Sequence, residues 1–283
     1  MDETIDMGAK TPPLNRIERP EPPSLGLKLS GQTRLQEQLG RIKRLELVYG
    51  EDNALVASLR SYLGRDLTES RGSEMQDTLL RFLIQADTIP QFYVEAGGGD
   101  GTTSSTYRLE QWGWTGVLVE PMIPALQQLH LTRSAGLDAR ALWHSNAVAQ
   151  LFNTATAHAD MSGLAEVRDP IDLPGIAVTV EVDTITLHEC LTSWDAPTTV
   201  GYVSLDVGGG EPSILQAFDF SAYSVGVFSV VFYSTAAREA VYDLLRSKGY
   251  KRFGKDVWSF KEDWYVLETL PVVVSGTSAS LLD

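Results

Sequence analysis

The chain has 283 residues, 43% of them hydrophobic and 21% charged, which is enough apolar material for one large α/β domain with an N-terminal extension. Its 37 acidic residues against 23 basic ones give a net charge of −14, and no run of four basic residues occurs, so nucleic acid is not an expected partner. Cys190 is the one cysteine, which excludes an intramolecular disulfide and fits a reducing, cytoplasmic setting.

The opening Met1 to Asp6 is acidic and no apolar h-region follows, so no secretory leader is expected. Residues 1–30 carry Thr11-Pro12-Pro13 and Pro20-Glu21-Pro22-Pro23 and read as a loose, proline-rich arm. An N-terminal helical extension follows over 31–88. Within it, apolar residues at helical spacing predict helices from Gln32 to Val48, Ala54 to Leu63 and Glu74 to Gln85, the last with Ser73 as its N-cap. These helices cover the crevice of the next domain, offer a homodimer surface or, as amphipathic stripes more often do, simply pack on its core.

From Pro90 the texture changes to strands alternating with helices, and residues 89–272 read as one Rossmann-like domain. Strands are expected at Phe92–Val94, Gly116–Val119, Tyr202–Leu205 and Val225–Phe232. A third strand is placed at Ala139–Trp143 or Ala147–Ala149, and Thr179–Val182 reads as an added edge segment. Helices are expected at Tyr107–Gln111, Ile123–Leu131, Thr186–Leu191, Pro212–Phe218 and Ala236–Lys248, the last closed by Gly249. Tyr250–Phe253 and Trp264–Leu267 would pair as an antiparallel hairpin, and 273–283 would be a frayed tail. The longest apolar run, Val225 to Tyr233, is too short to span a bilayer, so no membrane association is expected. Strands separated by helices predict a doubly wound, mostly parallel sheet, which binds ligands beyond the carboxyl ends of its strands.

Three segments place glycine and acid at such ends. Glu95, Gly97, Gly99 and Gly101 alternate directly after the first strand, with Asp100 between them. Glycine lets the turn tighten and a ligand approach the backbone. No frame supplies the Gly-x-Gly-x-x-Gly that seats a pyrophosphate. Acid followed by alternate glycines suits a cationic ligand instead. Glu120, followed by Pro121, ends the next strand about twenty residues on, where one carboxylate can accept both hydroxyls of a ribose. Asp206 ends the Tyr202 strand beside the first turn, ahead of Gly208 and Glu211. Glu211 at a helix start reads most simply as dipole compensation. Asp206 is the first candidate to position or deprotonate an acceptor, and His144 the second. The remaining histidines, 130, 158 and 188, have no partners at metal-ligand spacing, so no metal is expected.

These words, in this order, resemble the FkbM family of methyltransferases. The likeness runs from Gln76-Asp77 through Phe92–Gly101 with its following Ser/Thr run to Thr106 and Leu109-Glu110. It continues through Gly113–Pro121, Asn146-Ala147, Ser162–Leu164, Ser204–Val207 and Gly249-Tyr250, spanning about residues 70–268. The resemblance implies a class I methyltransferase fold, S-adenosylmethionine as donor, and a hydroxyl of a sugar, polyketide or other small molecule as acceptor. It assigns Glu95, Gly97, Gly99 and Asp100 to the cofactor turn, Glu120 and Pro121 to the ribose, Asn146 to the adenine side, and Asp206 to the methyl group. Gln76, Gly208, Glu211 and Phe232 fall on the acceptor side. Two positions depart from the pattern: Gly208 stands where the family has an acid, and Val231-Phe232 where it often has Glu-His. N-methylation, or a catalytically silent cofactor-binding subunit, therefore stand as alternatives.

Overall fold

A computed structural model describes residues 31–63, 70–84, 89–99, 101, 104–155, 161–168, 170–173 and 175–270. The proline-rich arm, the tail and Asp100 lie outside the described residues. The chain opens with helices α1 (Gly31–Tyr49), α2 (Ala54–Leu63) and α3 (Gln76–Leu83). Strand β1 (Phe92–Ala96), helix α4 (Tyr107–Gln111), β2 (Thr115–Val119), α5 (Ile123–Thr132) and β3 (Gly136–Asp138) follow. Then come β4 (Ala141–Leu142), β5 (Ala147–Ala155), β6 (Gly163–Leu164), a 3-10 turn at Pro170–Asp172, β7 (Ala177–Ile185) and α6 (Leu187–Ser193). The chain continues with β8 (Thr199–Leu205), α7 (Glu211–Ala217), β9 (Ser224–Val231), α8 (Thr235–Ser247), β10 (Tyr250–Phe253) and β11 (Glu262–Leu267).

Seven strands form the main sheet in the order β10-β11-β9-β8-β1-β2-β3. The pairs β1/β2, β1/β8, β2/β3 and β8/β9 are parallel, and β11 alone runs against its neighbours. The expected doubly wound sheet with a C-terminal hairpin is present, in the strand order of the class I methyltransferase fold. Chain order runs outward from β1 through β2 to β3, then restarts at β8 and runs the other way. The switch point, where such sheets open a crevice, lies between the tips of β1 and β8.

Period-two alternation sends successive residues to opposite faces. Val94, Val117, Val203 and Phe228 pack into one core with Leu191 of α6, Ile214 of α7 and Val241 of α8. Tyr93, Leu118, Tyr202 and Val227 pack into the other with Leu45, Leu79, Leu109 and Leu129. Each fully buried Val, Leu or Phe contributes about 1.5–3 kcal/mol relative to exposure, so the sheet is held from both sides. The N-terminal helices supply part of the second core.

Three expectations are corrected. The third strand is Gly136–Asp138; the segments read as that strand lie instead in a separate four-stranded sheet, order β4-β7-β5-β6. Thr179–Val182 belongs to β7, an interior strand of that sheet rather than an edge. Ser73 does not cap α3, which starts at Gln76 after Met75 in the left-handed region (φ 61°) with no side-chain cap. Gly249 does close α8 with φ 85°. Among the described residues no helix is long and apolar enough to cross a membrane.

Candidate active site

The β1 tip is a turn held from beneath. Glu95 shares the sheet face of Tyr93, so its carboxylate points toward α4 rather than into the crevice. Its oxygens accept from Ser104 Oγ (2.8 Å), Ser105 N (2.9 Å), Ser105 Oγ (2.9 Å) and the Thr106 hydroxyl. Arg133, wholly buried, stands 3.8 Å away and donates to Ser104 Oγ, Thr106 Oγ1 and Glu110 Oε1 at 2.5, 2.7 and 2.8 Å. Tyr93 closes the network by donating to Glu110 at 2.6 Å. Buried charges survive only when compensated, and here each acid meets several donors. Glu95 thus clamps the glycine turn onto the Ser/Thr segment. The Ser/Thr run was visible in the sequence, but Arg133 was not, being a residue from the end of α5.

Above this clamp the turn is bare. Gly97 has φ +88°, and a Cβ there would sit 2.1 Å from the carbonyl oxygen of Asp206. The tips of β1 and β8 are therefore in backbone contact, stitched by Asp206 N to Ala96 O at 3.1 Å. Gly97 N also donates to Val119 O at 3.2 Å, drawing in the tip of β2. Gly99 has φ +56°, and among the described residues nothing lies within 4 Å of a would-be Cβ, so none of them covers the turn there. Backbone so exposed is what a closely approaching ligand requires.

Glu120 stands at the β2 tip, 8% exposed. Among the described residues its carboxylate accepts one hydrogen bond, from Met122 N at 2.9 Å. Burial outweighs that bond and pushes its pKa up to about 7. Its backbone N–H donates to Asp138 O, which joins the β3 tip to the same edge. Pro121 is half-buried beside it. Asp138 itself is held by Arg140 (2.8 and 2.7 Å) and Trp194 Nε1 (3.1 Å).

At the β8 tip, Asp206 Oδ1 accepts from Tyr233 OH at 2.6 Å. Tyr233 comes from just beyond β9, and desolvation and the Asp206 charge raise its pKa. Nothing in the sequence singled Tyr233 out. The turn after Asp206 is held by Glu211, 1% exposed, whose Oε1 accepts from Val207 N at 2.8 Å. Burial raises the Glu211 pKa to about 7. Glu211 shapes this turn from inside. At Gly208 φ is +78° and a Cβ would lie 2.2 Å from Ser162 O, so the close approach of segment 161–164 accounts for the absence of an acid there.

The other sequence-derived positions lie around this edge without joining the three tips. Asn146, exposed, accepts from Thr186 N at 2.8 Å and ties the β4–β5 loop to the start of α6. His144 is exposed, its ring 4.8 Å from that of Trp143. Gln76 is buried and donates to Glu262 Oε2 at 3.1 Å. Phe232 lies under Arg238, 4.3 Å from guanidinium carbon to ring centroid. Among the described residues no group of three or more His, Cys, Asp or Glu is placed to hold a metal ion.

No family model matches the chain. No curated protein matches it significantly. Solved structures do resemble it weakly. A precorrin-6y C5,15-methyltransferase from Geobacter metallireducens GS-15 is 15% identical, over 68% of this chain and 85% of that one, with a TM-score of 0.32. A human methyltransferase 10 domain containing protein is 11% identical over 85% and 97%, with a TM-score of 0.33. The plantazolicin methyltransferase BpumL, in complex with SAH, is 10% identical over 76% and 66%, with a TM-score of 0.29. All three are described as methyltransferases, and at scores this low none of them bears on what this chain does. The resemblance to the FkbM family stands on its motif words alone.

Proposed function

We propose that the chain is an S-adenosylmethionine-dependent methyltransferase acting on a hydroxyl of a small molecule. One observation carries the reading: the tips of β1, β2 and β8 lie side by side at the switch point, bringing together the glycine turn, a buried carboxylate with one hydrogen bond among the described residues, and Asp206. The turn at Gly97–Gly99 leaves room for the donor's amino-acid end, Glu120 suits the ribose hydroxyls, and Asp206 faces the methyl position. The donor supplies an electrophilic methyl on a sulfonium that leaves as a neutral thioether. The residues of this chain then have two tasks: aligning the acceptor oxygen behind the methyl carbon, and receiving its proton. Alignment contributes several kcal/mol, up to about 7–11 at full preorganisation. Asp206, oriented by Tyr233, takes the proton, a step worth about 10²–10⁴-fold.

The test is methyl incorporation from labelled donor into a metabolite extract, comparing the protein with Asp206→Asn. A loss of about 10²-fold or more in the variant is expected. Equal incorporation would remove Asp206 from the mechanism. Gly208, with no side chain beside the acceptor position, favours a second reading, a silent cofactor-binding subunit. Binding of S-adenosylhomocysteine without any incorporation would assign that role.

A further inference from the structure

We propose that Arg168 binds an oxyanion, a carboxylate or phosphate, carried by the methyl acceptor; the assignment rests on the methyl-transfer reading of this edge. Segment 161–168 lies over the turn that follows Asp206. Ser162 O crowds Gly208, Gly163 sits against Val207 O and Gly208 O, and Val167 reaches Gly209. Asn153 Nδ2 anchors the far end by donating to Arg168 O at 2.7 Å. From this fixed backbone the Arg168 guanidinium stacks on Tyr233, its carbon 4.4 Å from the ring centroid. Tyr233 in turn holds Asp206 Oδ1, so the guanidinium stands one side chain away from the proposed proton acceptor.

The chemistry of the guanidinium edge decides the ligand. Arg168 Nε and Nη2 are buried and, among the described residues, have no hydrogen-bond partner. Those two N–H groups form one side of the guanidinium fork, the side that takes two oxygens of one anion. The same chain uses that side twice for carboxylates: Arg140 Nε and Nη2 on Asp138, at 2.8 and 2.7 Å, and Arg238 Nε and Nη2 on Asp263, at 2.7 and 2.6 Å. At Arg168 the same fork is built and oriented by the Tyr233 ring. Buried donors without acceptors are rare because they are costly, which marks the position as a recognition site. Tyr233, stacked on the fork and 38% exposed, reports on it: an anion bound at the fork changes the surroundings of its ring.

The experiment follows the Tyr233 ring signals by NMR, with S-adenosylhomocysteine added, while acetate or inorganic phosphate is titrated at ionic strength held constant with sodium chloride. The expected result is a saturable shift that is absent in Arg168→Met. In Arg168→Lys, which keeps the charge but loses the fork, it should be weakened about tenfold. A shift that persists in Arg168→Met, or that chloride alone reproduces, overturns the proposal. A second arm compares S-adenosylhomocysteine with 5′-methylthioadenosine, which lacks the carboxylate. Both proteins should prefer the former equally, and loss of that preference in Arg168→Met would hand the fork to the donor and overturn the acceptor assignment. Should S-adenosylhomocysteine fail to bind the unmodified protein, the methyl-transfer reading falls first, and the oxyanion assignment with it.

Discussion

Glu120 is a carboxylate held largely out of water with one hydrogen bond among the described residues, and that imbalance sets its titration. Burial moves its pKa from an ordinary 4.5 to about 7. Between those values the folded protein holds a proton that the unfolded chain has released. The resulting contribution to stability is fully present below pH 4.5 and is lost as pH rises through about 7. Glu120→Gln removes the titration, so it should stabilise the protein at pH 8 by about 1–3 kcal/mol and leave stability at pH 5 nearly unchanged. Thermal melts at the two pH values check this. The same substitution should weaken S-adenosylhomocysteine binding at pH 8 by about tenfold, since one charge-assisted hydrogen bond carries about 1.5 kcal/mol or more. Tighter melting with unchanged affinity would leave Glu120 a buried acid with no ligand. At Gly97 the constraint is steric. A methyl group would meet the Asp206 carbonyl at 2.1 Å on a backbone with positive φ, so Gly97→Ala should cost at least about 2 kcal/mol in urea unfolding. A change below about 0.5 kcal/mol would contradict the stitched tips.

Elements matter here through the clamps between them. Arg133, at the end of α5, reaches Glu95 on β1, Glu110 on α4 and the Ser104–Thr106 segment. Removing the cation leaves two acids uncompensated, so Arg133→Met should destabilise the protein by about 3–5 kcal/mol, measurable by chemical denaturation. Because the clamp fixes the glycine turn, Arg133→Lys, which restores charge without the fork, should recover only part of that loss. Equal stability of Arg133→Met and the unmodified protein would show that the network contributes nothing net. None of this was legible locally. Arg133 stands 38 residues from Glu95, just past a helix whose own sequence gives no reason to expect a buried cation. Helix starts were similarly obscure: α3 begins after a left-handed Met75, a geometry that no side-chain cap announces.

For the molecule as a whole, the alternation of buried strands and helices made the doubly wound sheet readable, because two-sided burial writes apolar runs broken only by a serine, such as Tyr202–Leu205 and Val225–Val231. The third strand escaped because Gly136–Asp138 is three residues long with one large apolar side chain, while the segments of β4 and β5 imitate it and belong to a separate sheet. At the site, Gly97, Glu120 and Asp206 were legible because each directly follows a strand. Tyr233 and Arg168 were not, since they reach Asp206 and its turn from segments that tertiary packing alone brings there. The account stands on the convergence of three strand tips into one donor site. Its most direct test is a crystal structure of the protein saturated with S-adenosylhomocysteine. Density should place the ribose on Glu120, the amino-acid end over Gly97–Gly99 and the sulfur toward Asp206. A crevice empty at saturation, or ligand lodged instead in the cavity of about 460 Å³ between α1 and the β10–β11 loop, would contradict it.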